Sequence, residues 1–480
     1  MASLGGASAH NAERDLHRWV RTGLAHDLEI YTIWLELQTP NSRDTELVPV
    51  PVLMPWLLVH ALWRAGRWKT SMLGPDDSVL GKFWDRAQSQ PWAREHPHLQ
   101  AGLDLNLTVP MVLHTDGAEV YTNCEFYIWS ISSLLPTRGH VLDDKFQILK
   151  IPHAFMRRKT IKDQVIRSVA AFFAWNFDVL ASARPPAHGF YGEPWKTNSI
   201  MQKLYDKGDP LFGPWHCIFS GMKSDLKARK EMNFFDRSYM HLNMCDACDA
   251  VQGFSTVMRD ETLKKFLYLD VTKTAAWRSS VCTHEKYMAR SEIISPWEVV
   301  PGFRKELVYW DYMHIAFLGI HRDLCAGACL TLLRRGRLEG ASADLQLRGL
   351  WLSFREWCKA HGKGTPTGDL SMRLIGRTKG NVYPELHSCF KAAVIKWMVS
   401  FLSSFCNSMS PRTTEETCCG QPCGGLQSIH MWLTMLALCS KTMRFRSFAM
   451  LSGHSSNPTR GFAIIHQMKK SFGHVQSCTI

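Results

Sequence analysis

Two sets of residues in this chain have types and spacings that could do chemistry. The first is Cys245 and Cys248 in "MHLNMCDACDAV", followed by Cys282 and His284 in "RSSVCTHEKY". A Cys-x2-Cys pair offers two thiolates from one tight turn, and a distant Cys-x-His completes a tetrahedral Cys3His zinc set. Two other readings stand beside zinc: unmetallated core thiols, and a redox pair, which would want the two cysteines at a helix start just after a strand. The second set is acidic: Asp116 in "LHTDGAEVY", Asp225 in "FSGMKSDLKAR" and Asp311 in "YWDYMHIAFLG". Each has a plainer reading as well. Asp-Gly suits a hairpin turn, and Asp225 suits the N-cap of a helix "LKARKEM". Asp311 lies in an apolar run, where an ionised carboxylate is costly unless paired or metal-bound; His314 follows three residues on.

The elements that must position these residues can be read from periodicity. "LTVPMVLHTDGAEVYTNCEFYIWSISSLL" gives two strands joined by a turn containing Asp116 and Gly117, and "DDKFQILKIPHAF" a third. "IKDQVIRSVAAFFAWNFDVLAS" carries apolar residues at helical spacing. An apolar strand "WHCIFSG" runs up to Asp225, and "ELVYWDYMHIAFLGI" is another strand or a strand–helix junction. "DLQLRGLWLSFREWCKAHG" and "ELHSCFKAAVIKWMVSFLSSF" are helices. This order predicts an α/β fold with a mixed sheet and flanking helices. The texture divides the chain into a helical, tryptophan-rich accessory domain over 1–105, a first part of the core over 106–235, and a cysteine-bearing insertion over 236–300. A last strand with helices covers 301–405, and an irregular tail covers 406–480. In the first of these, "AERDLHRWVRTGL", "PWLLVHALWRAG" (closed by Gly66) and "DDSVLGKFWDRAQSQ" read as helices. The tail has no Asp or Glu from Thr417 to Ile480.

Composition bounds the partners. The 480 residues carry a net charge of +13, which favours polyanions such as DNA. The N-terminus lacks the basic and apolar regions of a secretory signal. Prolines interrupt "VPVPVLMPWLLVHALW", and Asp311, His314, His321, Arg322 and Asp323 interrupt the other apolar run, so no membrane span is expected. Fifteen cysteines without an export signal point to a reducing, intracellular compartment, where close cysteine pairs bind metal more often than they form disulfides. No phosphate-cradling glycine loop or nucleophile elbow is present.

Taken in order, "VLHTDGAEVY", "FSGMKSDLKARKE", "CDAC", "CTH" and "WDYMHIAFLGI" resemble the ribonuclease-H-like core of cut-and-paste transposases, above all the CACTA and Kyakuja–Dileera–Zisupton groups and their relatives. The resemblance spans roughly residues 10–405. It implies that Asp116, on the first core strand, and Asp225, after the fourth, hold catalytic Mg²⁺ for DNA strand cleavage and transfer. It further implies a structural Zn²⁺ held by Cys245, Cys248, Cys282 and His284 in the insertion, a D-x-x-H-x-x-x-L-G stretch at Asp311–Gly319, a double-stranded DNA partner and a nuclear location. The family's third acid, a late Glu, is missing here; only Glu415 and Glu416 remain downstream, and Asp311 is a partial substitute. The resemblance therefore implies a degenerate transposase. A non-enzymatic, zinc-stabilised nucleic-acid-binding or protein-interaction protein is the alternative.

Overall fold

The structure, a computed structural model, describes residues 28–408 except 40–41, 43, 75, 77, 122–123, 136–144, 239–240, 254, 271, 365, 367 and 377–383. The chain divides into two compact units. One runs through Tyr268 and resumes over Thr274–Tyr309; the other takes Leu269–Lys273 and the chain from Trp310 onward.

The first unit opens with an antiparallel ribbon, β1 (Ile30–Gln38) and β2 (Thr45–Leu53). Sequence reading expected helices throughout this region. The ribbon forms because residues 32–37 alternate: Ile33, Leu35 and Leu37 are buried, while Thr32 and Trp34 face out. Val50 and Val52 repeat the pattern on the partner strand. The two later helices do form, Pro55–Arg64 and Ser78–Ala87, and Gly66 follows the first at φ +68°. The segment expected as a helix over residues 12–24 and the tail after 408 lie outside the described residues.

The centre of this unit is a mixed five-stranded sheet in the order β5-β4-β3-β6-β7. Its strands are β3 (Thr108–Tyr121), β4 (Cys124–Ser133), β5 (Phe146–Pro152), β6 (His216–Ser224) and β7 (Val308–Trp310). β4 runs antiparallel to β3 and β5, and β6 runs parallel to β3. The Lys159–Ser182 helix links β5 back to β6 and covers the sheet with Phe172, Phe173 and Phe177, all fully buried. Phe177 meets Phe219 of β6 edge to face at 5.4 Å. Burying each such ring stabilises the fold by about 2–3 kcal/mol. β6 is buried on both faces over Cys217–Met222, which is why its sequence reads as a continuous apolar run.

The second unit is helical. A π-helical stretch, Met313–Ile320, runs directly into the His321–Arg334 helix, which packs with Ala343–Ala360 and Ala392–Ser408. Small residues Cys325, Ala326, Ala328 and Cys329 let these helices approach around Trp351, Phe354 and Leu402. Burial pushes the Cys325 thiol well up and that of Cys329 to about 12, so both are inert core groups.

Lys159–Ser182 and Met313–Arg334 are long and apolar enough to cross a membrane by length and composition, although no such stretch was expected; 67% and 56% of their apolar windows are buried inside the protein. Most of the surface that lipid would require is thus covered by neighbouring side chains.

Candidate metal centre

Asp116 does not occupy a turn. β3 continues past it to Tyr121, pairing Asp116 with Ile128 and Gly117 with Tyr127. The Asp-Gly pair is therefore strand, and the hairpin expectation is corrected. Gly117 is not at positive φ, and a Cβ there would meet only the mobile end of the Glu125 side chain, at 2.6 Å.

Asp225 sits one residue past β6, beside Asp116, because the parallel register pairs Thr115 with Ser224. A bulge sets that register. Met111 pairs with Phe219 and Leu113 with Met222, leaving one extra residue on β6. Gly221 takes up the irregularity at φ +150°, and a Cβ there would lie 2.2 Å from the Tyr309 ring. The Tyr309 hydroxyl donates to the Ser220 carbonyl at 2.8 Å, locking the kink. Bulges re-aim the side chains that follow them, and here the residue re-aimed is Asp225.

The cap reading of Asp225 also holds: its Oδ1 accepts from the Ala228 amide at 2.6 Å and starts the Leu226–Asn233 helix. A carboxylate has two oxygens, so capping and cation binding are compatible. Asp116 and Asp225 present carboxylate oxygens within 4.8 Å of one another. Two half-buried carboxylates this close fit the donor set of a hard divalent cation, which takes oxygen ligands at about 2.0–2.6 Å.

A polar shell that sequence reading missed lies behind Asp225. Tyr127 donates to Glu231 at 2.6 Å, Lys162 pairs with Glu231 at 3.1 Å, and Lys227 pairs with Glu125 at 3.0 Å. Burial raises the Tyr127 hydroxyl, and Glu231, Glu125 and Asp225 add to the rise. Glu125 and Glu231 are tied to lysines in this arrangement, and neither stands as the missing third acid.

The cysteine turn is built differently. Cys245, Cys248 and Cys282 are all buried, and the Cys282 amide donates to the Ala247 carbonyl at 2.9 Å. The Ala247 amide points at the Cys245 sulfur at 3.4 Å, and the Ala250 amide bonds to that of Cys248. Amide donors aimed at sulfur favour thiolate, the form that metals bind. Cys248 donates to Cys245, which pulls Cys245 down and pushes Cys248 up. His284 is engaged elsewhere: its Nδ1 accepts from the Lys305 amide at 3.3 Å and its Nε2 lies 3.7 Å from Glu298. No three of the four expected ligands have their ligand atoms within 4.8 Å of one another. The thiols suit zinc chemically.

Asp246, between the two cysteines, is the buried anchor of this turn. It pairs with Arg229 of the helix that Asp225 caps, and lies 3.5 Å from Lys305. Nothing in "CDAC" announces that role, because its partners come from distant stretches of chain. Asp249 similarly gathers Arg237, Lys286 and Arg290 at 2.8–3.2 Å.

Asp311, in the second unit, has the partner expected of a carboxylate in an apolar run: its Oδ2 lies 2.6 Å from His314 Nδ1, and its Oδ1 accepts from the Met313 amide at 3.0 Å. The remaining acids considered, Glu415 and Glu416, lie outside the described residues. No family model and no curated protein matches this chain.

Proposed function

We infer that the chain is a transposase-derived, ribonuclease-H-like protein that binds DNA through a divalent-cation site at Asp116 and Asp225. The single observation that carries this reading is the convergence of those two carboxylates, from adjacent parallel strands, to within 4.8 Å. The resemblance calls for acids on the first and fourth core strands, and the neighbour relation of β3 and β6 supports it. The net charge of +13 supports a phosphate-backbone partner.

Bound there, a divalent cation supplies positive charge against a phosphodiester oxygen and lowers the pKa of bound water. The chain's own contribution is rigidity. Asp116 is fixed in the sheet, and Asp225 is fixed by its cap. Cleavage with strand transfer wants a further carboxylate, and among the described residues no other acid groups with Asp116 and Asp225. The reading is therefore cation-assisted DNA binding, with the ancestral cleavage degenerate.

Mn²⁺ titration of the full-length protein, followed by spin resonance, tests it together with duplex-DNA binding at two salt concentrations. Asp116→Asn and Asp225→Asn should each abolish Mn²⁺ binding and weaken DNA binding in its presence. A second reading, a non-enzymatic interaction protein stabilised by zinc, is favoured by the buried thiols with their amide donors. Salt-sensitive DNA binding that is indifferent to both Asn variants would favour it and reject the first.

A further inference from the structure

The face of the central sheet that carries Asp116 also carries cations. Residues paired across neighbouring strands share a face. Asp116 pairs with Ile128, and Ile128 with Lys150, so the three stand in one row across β3, β4 and β5. Two residues back along β3, His114 pairs with Lys223 of β6. The Lys145 ammonium donates to His114 Nε2 at 3.4 Å. Among the described residues of β3, β4, β5 and β6 on this face, Asp116 is the only acid, against Lys150, Lys223 and His114.

The lysines near the two aspartates are held in different ways. Lys162 and Lys227 are each tied to a glutamate. Lys150 is exposed and makes no ion pair among the described residues; its ammonium rests over the Phe126 ring at 5.8 Å. Phe126 pairs with Ala118, two residues beyond Asp116, and so lies on the same face. The stack therefore keeps the lysine stem over that face. A lysine on an edge strand such as β5 is also a common guard against strand pairing. Charge of either sign at any edge position meets that duty, and it requires neither the row with Asp116 nor the aromatic rest.

We propose that Lys150 is a phosphate-contact residue, which takes a DNA backbone phosphate next to the one held through a cation at Asp116 and Asp225. This rests on the reading of those aspartates as a DNA-binding cation site. Two strand spacings separate Lys150 from Asp116 along the row, about 10 Å. Only the uncharged Ile128 stands between them, so one sugar–phosphate strand can cross β4 with a phosphate at each end. Once a divalent cation offsets the two carboxylates, Lys150 and Lys223 leave the face positive. The cation thus favours phosphate at Lys150 without touching that side chain.

The test is duplex-DNA binding by the full-length protein, followed by anisotropy across a series of salt concentrations with Mn²⁺ present. Lys150→Gln should weaken binding about three- to tenfold and flatten the slope of log affinity against log salt by about 0.9, the loss of one phosphate contact. Lys150→Arg should keep most of the affinity. Lys150→Glu, which still guards the edge, should weaken binding further than Lys150→Gln. The Mn²⁺ affinity and thermal midpoint of Lys150→Gln should match the parent. Lys203→Gln removes the same charge from the exposed side of the Ile200–Lys207 helix and should cost less than about twofold. Parent-like DNA binding by Lys150→Gln, with binding weakened in Asp116→Asn, overturns the proposal and leaves the cation site standing. A parent that binds no duplex DNA overturns both. An equal loss in Lys203→Gln would assign the effect to net charge and overturn the proposal. A lowered midpoint in Lys150→Gln with an unchanged salt slope would make Lys150 a structural partner of Phe126 and overturn it as well.

Discussion

Asp246 and Arg229 form an ion pair inside the first unit, their side chains 8% and 4% exposed, and so join the cysteine turn to the helix capped by Asp225. Burial alone would raise the Asp246 carboxyl; Arg229 and then Lys305 outweigh it and hold it below the usual range. The two candidate metal regions are therefore mechanically one piece, linked through a side chain that binds no metal.

Removing the anchor leaves two cations buried without their counter-charge. Asp246→Ala should destabilise the first unit by about 3–5 kcal/mol, the usual penalty for breaking a buried pair by deleting one partner. Urea unfolding followed by tryptophan fluorescence measures it. A change under about 1 kcal/mol would show that solvent reaches Arg229 and Lys305 in solution.

The two roles of Asp225 separate by substitution. Asn caps helices about as well as Asp, whereas Ala does not. Asp225→Asn should hold thermal stability while losing Mn²⁺ binding. Asp225→Ala should lose both, with about 1 kcal/mol of destabilisation. Equal stability of the two variants would mean that the cap contributes nothing.

Gly221 should not tolerate a side chain. A Cβ there meets the Tyr309 ring and lies 2.8 Å from the Leu307 carbonyl, at a φ that L-residues rarely adopt. Gly221→Ala should cost about 2–3 kcal/mol through overpacking and strain, and should weaken Mn²⁺ binding through displacement of Asp225. Normal Mn²⁺ affinity in this variant would separate the bulge from the site.

Acid should destabilise the first unit through His96. Its ring is fully buried, donates from Nε2 to the Phe219 carbonyl at 3.1 Å, and accepts on Nδ1 from the His98 amide. Burial, and then the neighbouring His98, lower it from 6.5 to about 4. The unfolded chain therefore takes up the proton first as pH falls. Stability is complete above about pH 6.5 and is lost progressively down to about pH 4, by roughly 3 kcal/mol at most. Urea midpoints across that range should fall more steeply for the parent than for His96→Gln; parallel curves would exclude His96 as the cause.

Much of the sheet was legible because β3, β4 and β5 are runs rich in β-branched and aromatic residues and β6 is a continuous apolar run. The Lys159–Ser182 helix was legible from its apolar spacing, and the cap role of Asp225 from the helix that follows it. The β1–β2 ribbon was missed although Ile33, Leu35 and Leu37 alternate, because the helical patterns of "AERDLHRWVRTGL" and "PWLLVHALWRAG" on either side were extended across it. Asp116–Gly117 looked like a turn because local propensity favours one; pairing with Ile128 and Tyr127, which is not local, overrode it. The Gly221 bulge and the Asp246 anchor rest on Tyr309, Arg229 and Lys305, far off in the chain, and no local pattern encodes such contacts. His284 was placed by motif spacing, which says nothing about the Lys305 amide and Glu298 that engage its ring.

The parallel pairing of β3 with β6 carries a kinetic consequence. Until the Lys159–Ser182 crossover has folded back, Asp116 and Asp225 are separate, hydrated and mutually indifferent; completing the pairing pushes like charges together, an electrostatic load on a late, long-range step. An ion of opposite sign present at that moment lightens the load, so millimolar Mg²⁺ should quicken refolding of the native chain and leave an Asp116→Asn chain's rate alone.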